Sequence, residues 1–473
     1  MQILNGDSEE ILKTLDDNSL DCLITDPPYG MGNTSSKNVE DCLRAWTSGE
    51  SWTPKGKGFM NKSWDSWVPP PSLWKEVYRV LKPGAHGLVF ASSRTQDLMS
   101  ISLRLAGFEV RDTLMYLYGS GFPKSHNVSL AIDKKFGHPN RGRAIPTASQ
   151  YQASDVEEKN KLTSNPVEEY QAKCPEAEKW EGWGTALKPA YEPIIMIRKP
   201  PEGSIADNVM TWGVGAINID DTRVQYDNSE NIDFTQMHEQ KTASYKESGW
   251  TGHIAKVGSK IQMHKPKGRF PANVILDEEA ALAVDQQSGI QKSGRAGKKS
   301  RAWGVAGKGQ LSSVEDGVGC KAYGSEGYGD KGGASRFFYT SKASKKEKEA
   351  GLQDLEKKNF GTLNGRIDGS LEKTRTPSGK RANHHPTVKP LDLMKYCLRL
   401  VCPKDGTVLE PFLGSGSTLC ACAVEGVNAI GIELNEEYVE IAKKRIAYWG
   451  GQAEEVEVKK KDLEDLPLFK GIL

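Results

Sequence analysis

VLEPFLGSGSTLCACAVEGVNAIGIELNEEY, residues 408–438, is the stretch that decides how this chain folds. A short apolar run ends on an acidic residue, Glu410. A glycine turn follows, Gly414-Ser415-Gly416, and then a helical stretch closed by Gly426. A second apolar run ends on Glu433. Strand, glycine turn, helix and strand in this order predict adjacent parallel strands. Glycines at the first turn let a ligand approach the backbone closely. Glu433 stands 433 − 414 = 19 residues beyond Gly414, the distance at which an acidic side chain can hold ribose hydroxyls. Leu419 stands where G-x-G-x-x-G would have its last glycine, which disfavours a dinucleotide pyrophosphate. Glu410 would also repel a phosphate. It suits the ammonium and sulfonium groups of S-adenosylmethionine.

Outward from this stretch the same alternation recurs. LDLMKYCLRLV (391–401) and EEYVEIAKKRIAYW (436–449) read as helices. Near the N-terminus MQILNGD reads as a strand and SEEILKTL as a helix capped by Ser8. LDCLITD follows as a buried strand, PSLWKEVYRVL as a helix, AHGLVFAS as a strand, QDLMSISLRLAG as a helix and FEVRDTLMYLY as a strand. A further strand covers Pro193 to Arg198. The fold class is therefore α/β, a parallel sheet wrapped by helices. Between these regions lie a polar, loop-rich block (119–180) and a long basic block (201–384) with 12 glycines among residues 291–335. GRFPANVILD and ASRFFYTSKA read as short strands inside the basic block.

Charged residues are 26% and hydrophobic residues 37% of the 473, the balance of a soluble protein. No apolar run approaches the roughly 18–20 residues of a membrane span, and MQILNGDSEE is not a signal peptide, so the expectation is a cytoplasmic protein with no membrane partner. The eight cysteines form no C-x-x-C pair and read as buried thiols, with no metal site. The net charge of +1 is unevenly placed. Residues 241–390 hold 28 Lys and Arg against 15 Asp and Glu. Such a basic middle suits either a polyanion or a solvated loop region.

Three segments together resemble the motifs of the amino-group DNA methyltransferases: DPPYG (26–30), HPTVKP (385–390) and EPFLGSGST (410–418). The catalytic motif stands before the methyl-donor loop, with a large variable region between. This resembles the β group, whose fold is a circularly permuted, Rossmann-like S-adenosylmethionine-dependent methyltransferase fold with an inserted target recognition domain. The resemblance implies a catalytic half at 1–118, a loop-rich insertion at 119–180 and a returning sheet strand at 181–200. It places a DNA target recognition region at 201–384, a donor-binding half at 385–450 and a tail at 451–473. Glu410 departs from the family's commoner aspartate but keeps the charge.

The implied chemistry explains why a strand should end in Asp-Pro-Pro-Tyr. An exocyclic amine is a poor nucleophile because its lone pair is delocalised into the ring. Asp26 and the Pro27 carbonyl would accept its two N–H bonds. Pro27 and Pro28 have fixed φ angles, and Tyr29 would stack on a base flipped out of the duplex. The resemblance implies donor contacts from Asp7, Thr387, Lys389, Glu410, Phe412, Gly414, Gly416, Thr418 and Glu433. Asp7 also reads as a helix cap, and residues 387–389 as a turn before a helix. Segment 46–74, with five tryptophans, resembles a mobile loop over the base or, equally, packs on the sheet. The D-P-P-Y form points to the N6 of adenine in double-stranded DNA. N4 of cytosine, RNA and a non-catalytic DNA-binding subunit are the alternatives. A homodimer and a restriction endonuclease partner are left open.

Overall fold

Side chains along a strand alternate between the two faces of its sheet, so a strand that is apolar throughout must be covered on both. The computed structural model describes residues 1–32, 34–54, 65–121, 125–138, 170–225, 268–292, 331–342, 345–359, 380–385, 387–450 and 457–460. Its strands are β1 (Gln2–Asn5), β2 (Cys22–Thr25), β3 (His86–Phe90), β4 (Glu109–Leu117), β5 (Tyr191–Arg198), β6 (Val274–Asp277), β7 (Gln291–Lys292), β8 (Lys331–Gly332), β9 (Tyr339–Ser341), β10 (Lys358–Asn359), β11 (Lys380–Arg381), β12 (Thr407–Glu410), β13 (Asn428–Glu433) and β14 (Glu457–Lys460). Ten of them form one sheet in the order β14-β1-β13-β12-β2-β3-β5-β4-β6-β9, while β7–β8 and β10–β11 are small separate ladders.

Alternation sends Ile24, Leu88 and Val408 to one face, with the Leu391–Val401, Ser417–Glu425 and Glu436–Trp449 helices. Leu23, Val89 and Leu409 point to the other, with the Ser8–Leu12, Ser36–Thr47, Pro71–Val80 and Gln96–Leu105 helices. Thus the C-terminal half of the chain covers one face and the N-terminal half the other. Each helix shows why it docks as it does. In Pro71–Val80, a proline at the first turn starts the helix, and Leu73, Trp74, Val77 and Val80 recur on one buried side. Burying each such side chain stabilises the fold by about 1.5–3 kcal/mol.

Four expectations are corrected. The sheet is not wholly parallel, because β5 runs antiparallel to both β3 and β4. The Ser8–Leu12 helix is capped by Asp7, whose Oδ1 accepts from the amides of Glu9 and Glu10, rather than by Ser8. Ser8 Oγ instead donates to the Pro411 carbonyl. Within ASRFFYTSKA only Tyr339–Ser341 is a strand, and Ala334–Phe337 forms a turn of 3-10 helix. The basic block also contributes to the main sheet, since β6 pairs parallel with β4, and β9 with β6.

Of the tryptophans in 46–74, Trp46, Trp67 and Trp74 are buried in the core, and Trp52 packs on Trp67 with ring centroids 4.9 Å apart. This is the packing alternative rather than a loop free of the sheet; Trp64 lies outside the described residues. The polar block 119–180 holds the Val128–Lys135 and Pro175–Glu178 helices. Of the tail 451–473, only β14 is described, as a strand beside β1. The seven described cysteines are buried and form no disulfide. Among the described residues no helix is long and apolar enough to cross a membrane. No group of three or more His, Cys, Asp or Glu is placed there to hold a metal.

Candidate active site

In open α/β sheets, ligands bind beyond the carboxyl ends of the strands. Here β1, β13, β12 and β2 are adjacent and parallel. Each ends at an acidic residue or just before one. Asp7 follows β1, Glu433 closes β13, Glu410 closes β12 and Asp26 follows β2. All four line a single cavity of about 810 Å³, together with Pro27, Pro28, Tyr29, Thr387, Lys389, Phe412, Gly414 and Thr418. Segments from the two ends of the chain therefore meet at one site. A direct bond joins them: Thr25 Oγ1 donates to Glu410 Oε1 at 2.6 Å.

Glu410 is the most enclosed of the four carboxyls, at 2% exposure. Its Oε1 also accepts from the Phe412 amide, and its Oε2 from Thr418 Oγ1 at 2.6 Å. Burial pushes its pKa up to about 8, although those hydrogen bonds pull the other way. Glu433 Oε2 accepts from the Gly414 amide at 2.8 Å, and Oε1 from the Asn435 amide at 2.8 Å. Burial raises its pKa despite these amides. The carboxylate thereby locks the glycine turn to the neighbouring strand. Phe412 lies edge-on to Trp74, with centroids 6.2 Å apart.

The two turn glycines do different things. Gly414 has φ +53°, and a Cβ there would stand 2.8 Å from His385 Nε2. Gly416 has φ +80°, but its missing Cβ leaves room for Ala442, whose Cβ would be 3.0 Å away. Gly416 does not line the cavity. Gly416 thus allows a close approach between the turn and the Glu436–Trp449 helix.

The DPPYG segment, residues 26–30, is held from several sides. The Tyr29 and Gly30 amides donate to Asp65 Oδ1 at 2.8 and 3.0 Å. Thr95 Oγ1 donates to the Tyr29 carbonyl. Lys389, only 8% exposed, donates from Nζ to Asp26 Oδ2 at 2.6 Å and to Tyr29 Oη at 3.1 Å. Its Nζ also stands 3.5 Å from Glu192 Oε2. Lys389 therefore reaches the Asp26 carboxylate rather than standing free for a donor carboxylate. Asp26 Oδ1 is buried and has no hydrogen-bond partner among the described residues. The Thr387 carbonyl oxygen stands 2.6 Å from His385 Nδ1. The Thr387 amide also points at Nδ1, at 3.3 Å, so the ring's tautomer sets which of the two Thr387 groups bonds to it. Burial lowers the His385 pKa to about 4, so the ring is neutral. Pro386 lies outside the described residues.

A family model described as DNA methylase, of the N6/N4 methyltransferase type, matches residues 20–444. The chain belongs to the N6/N4 DNA methylase family. The match spans both the Asp26 motif and the Gly414 turn. Among curated relatives, it is 24% identical over 243 residues to the type II methyltransferase M.HindIII of Haemophilus influenzae, covering 46% of this chain and 64% of that one. It is 43% identical over 77 residues to M2.MboI of Moraxella bovis (16% and 26%). It is 41% identical over 70 residues to the putative methylase YubD of Escherichia coli (15% and 30%). These alignments span less than two thirds of each relative's length. A putative DNA modification methylase of Thermus thermophilus, crystallised with S-adenosyl-L-methionine, aligns over 98% of this chain and 99% of its own, with 13% identity and a TM-score of 0.34.

The cavity suits the methyl donor of this methylase family. It has room for a nucleoside and a base together, within the roughly 300–1,000 Å³ of small-molecule sites. Its floor presents carboxyl groups to a cation, and at Gly414 the backbone is bare. Sequence reasoning missed Thr25, Asp65, Glu192 and His385. Thr25 and His385 adjoin motif residues. Asp65 and Glu192 arrive through tertiary structure and carry no local signal.

Proposed function

We propose that this methylase transfers a methyl group from S-adenosylmethionine to the exocyclic N6 of adenine in double-stranded DNA, after the base has flipped out of the helix. The observation that carries the reading is Asp26, which lines the same cavity as Glu410 and Gly414 and whose buried Oδ1 has no hydrogen-bond partner among the described residues. A buried acceptor left unpaired is costly, and a substrate N–H would satisfy it. Bound S-adenosylmethionine supplies an electrophilic methyl carbon.

The remaining steps belong to the chain's own residues. Asp26 Oδ1 accepts one amine N–H, and the Pro27 carbonyl the other, freeing the nitrogen lone pair. The Asp26 charge then stabilises the positive charge that grows on nitrogen. Tyr29, at the cavity wall, gives the base a face to stack on; such stacking is worth about 1–3 kcal/mol. Asp7, Thr387, Thr418, Phe412, Gly414 and Glu433 shape the donor's side of the site, with Glu410 facing its cationic groups. Within residues 201–384, the basic stretch is the DNA-reading region, whose lysines and arginines hold phosphates. Trp303, Tyr323 and Tyr328 of that stretch lie outside the described residues.

The choice of adenine rests on the D-P-P-Y form of the motif. The test is incubation of purified protein with duplex DNA and labelled donor, followed by mapping of the modified base. N6-methyladenine at a defined sequence is expected. N4-methylcytosine would reassign the base, and label in RNA alone would reassign the substrate.

A further inference from the structure

Glu192 is the second residue of β5, the strand that runs against its neighbours β3 and β4. Its reversed direction brings its first residues to the edge where β2 and β12 end, and Glu192 lines the cavity there. The carboxylate stands 3.5 Å from Lys389 Nζ and accepts from Tyr29 Oη at 3.4 Å. Lys389 thus sits between two carboxylates. Resting on the methyl-transfer reading above, we propose that Glu192 is a positioning residue for that reaction: it neutralises Lys389, so that the lysine orients Asp26 without cancelling the charge of Asp26.

The charge count explains the need. Lys389 bonded to Asp26 alone would form a neutral pair. A neutral pair stabilises an amine turning positive far less than a lone carboxylate does, and more so in a buried site. With Glu192 the three side chains sum to −1. The division of labour on Asp26 follows: Oδ2 is held by Lys389, while Oδ1 is buried with no hydrogen-bond partner among the described residues. Burial pulls the Lys389 pKa down, but Asp26 and Glu192 more than offset it, so the side chain stays an ammonium. Removing Glu192 therefore leaves the Lys389–Asp26 bond in place and lets the whole charge of the lysine bear on Asp26.

The test is a double-mutant cycle of Glu192→Gln and Lys389→Met, with kcat and both KM values measured on duplex DNA. Glu192→Gln is expected to lower kcat about tenfold or more while each KM moves less than about threefold. In the Lys389→Met background the same change should cost less than about twofold, because Glu192 acts through Lys389. Equal losses in both backgrounds would overturn the proposal, as would a loss confined to KM. Glu192→Asp keeps the charge and should retain at least about a third of wild-type kcat. A folded Glu192→Asp below about a tenth of wild-type kcat overturns the proposal, whatever Glu192→Gln does. Wild-type protein assayed alongside separates the two levels. No methyl transfer by the wild type overturns the reaction itself and this proposal with it, whereas wild-type kcat in Glu192→Gln overturns this proposal alone.

Discussion

Thr25 Oγ1 and Glu410 Oε1 are 2.6 Å apart across 385 residues of chain. The bond ties the last residue of the strand that leads into DPPYG to the last residue of the strand that leads into the glycine turn. Replacing Thr25 by Val keeps the shape and deletes the donor, leaving a buried carboxyl oxygen with one fewer partner. A loss of about 1–3 kcal/mol in urea unfolding is expected. An unchanged midpoint would show that the two strand ends are held together by packing alone.

Glu410 gives the site a pH dependence with a definite sign. Its pKa is raised from 4.5 to about 8 by burial, so the folded chain holds this proton where the unfolded chain has lost it. The group's stabilising contribution is full below 4.5 and lost as pH rises through about 8, so thermal stability without ligand should fall across that window. A cation beside Glu410 favours its ionised form and expels the proton. Affinity for S-adenosylmethionine should therefore rise with pH up to about 8 and level off above it. Calorimetry in buffers of different ionisation enthalpy checks the proton release. Glu410→Gln should remove its part of the pH dependence, and a wild-type affinity flat with pH contradicts the assignment.

The two turn glycines should separate binding from stability. Gly414→Ala puts a methyl 2.8 Å from His385 Nε2, at the cavity wall. It should weaken donor binding by about tenfold or more, with modest loss of stability. Gly416→Val puts its side chain against Ala442, away from the cavity, at φ +80°. It should cost more than about 1 kcal/mol of stability. Thermal scans with titrations of the donor check both, and the reverse pattern would show that Gly416 is the one facing the ligand.

Much of this layout was legible because it is local. Short apolar runs bounded by turn residues marked β2, β3, β12 and β13, and the permuted order of three motifs placed Asp26 beside Glu410. What escaped the sequence was direction. A strand pattern does not say which way the strand runs, and the reversal of β5 is what delivers Glu192. The resemblance placed HPTVKP near the site, but the reach of a lysine's flexible stem does not reveal which carboxylate it meets. Asp7 and Ser8 both read as caps of the first helix, because either short polar side chain can cap, and the structure gives that role to Asp7. Gly416 looked like its neighbour Gly414, yet it faces a helix that lies on the far side of the turn.

The central claim is that the free oxygen of Asp26 receives the amine of a flipped base. It is tested most directly by Asp26→Ala, assayed for methyl transfer to duplex DNA and for binding of S-adenosylmethionine. Transfer should fall by more than about a thousandfold, with the donor Kd within about threefold of wild type. Near-wild-type turnover by Asp26→Ala would contradict it.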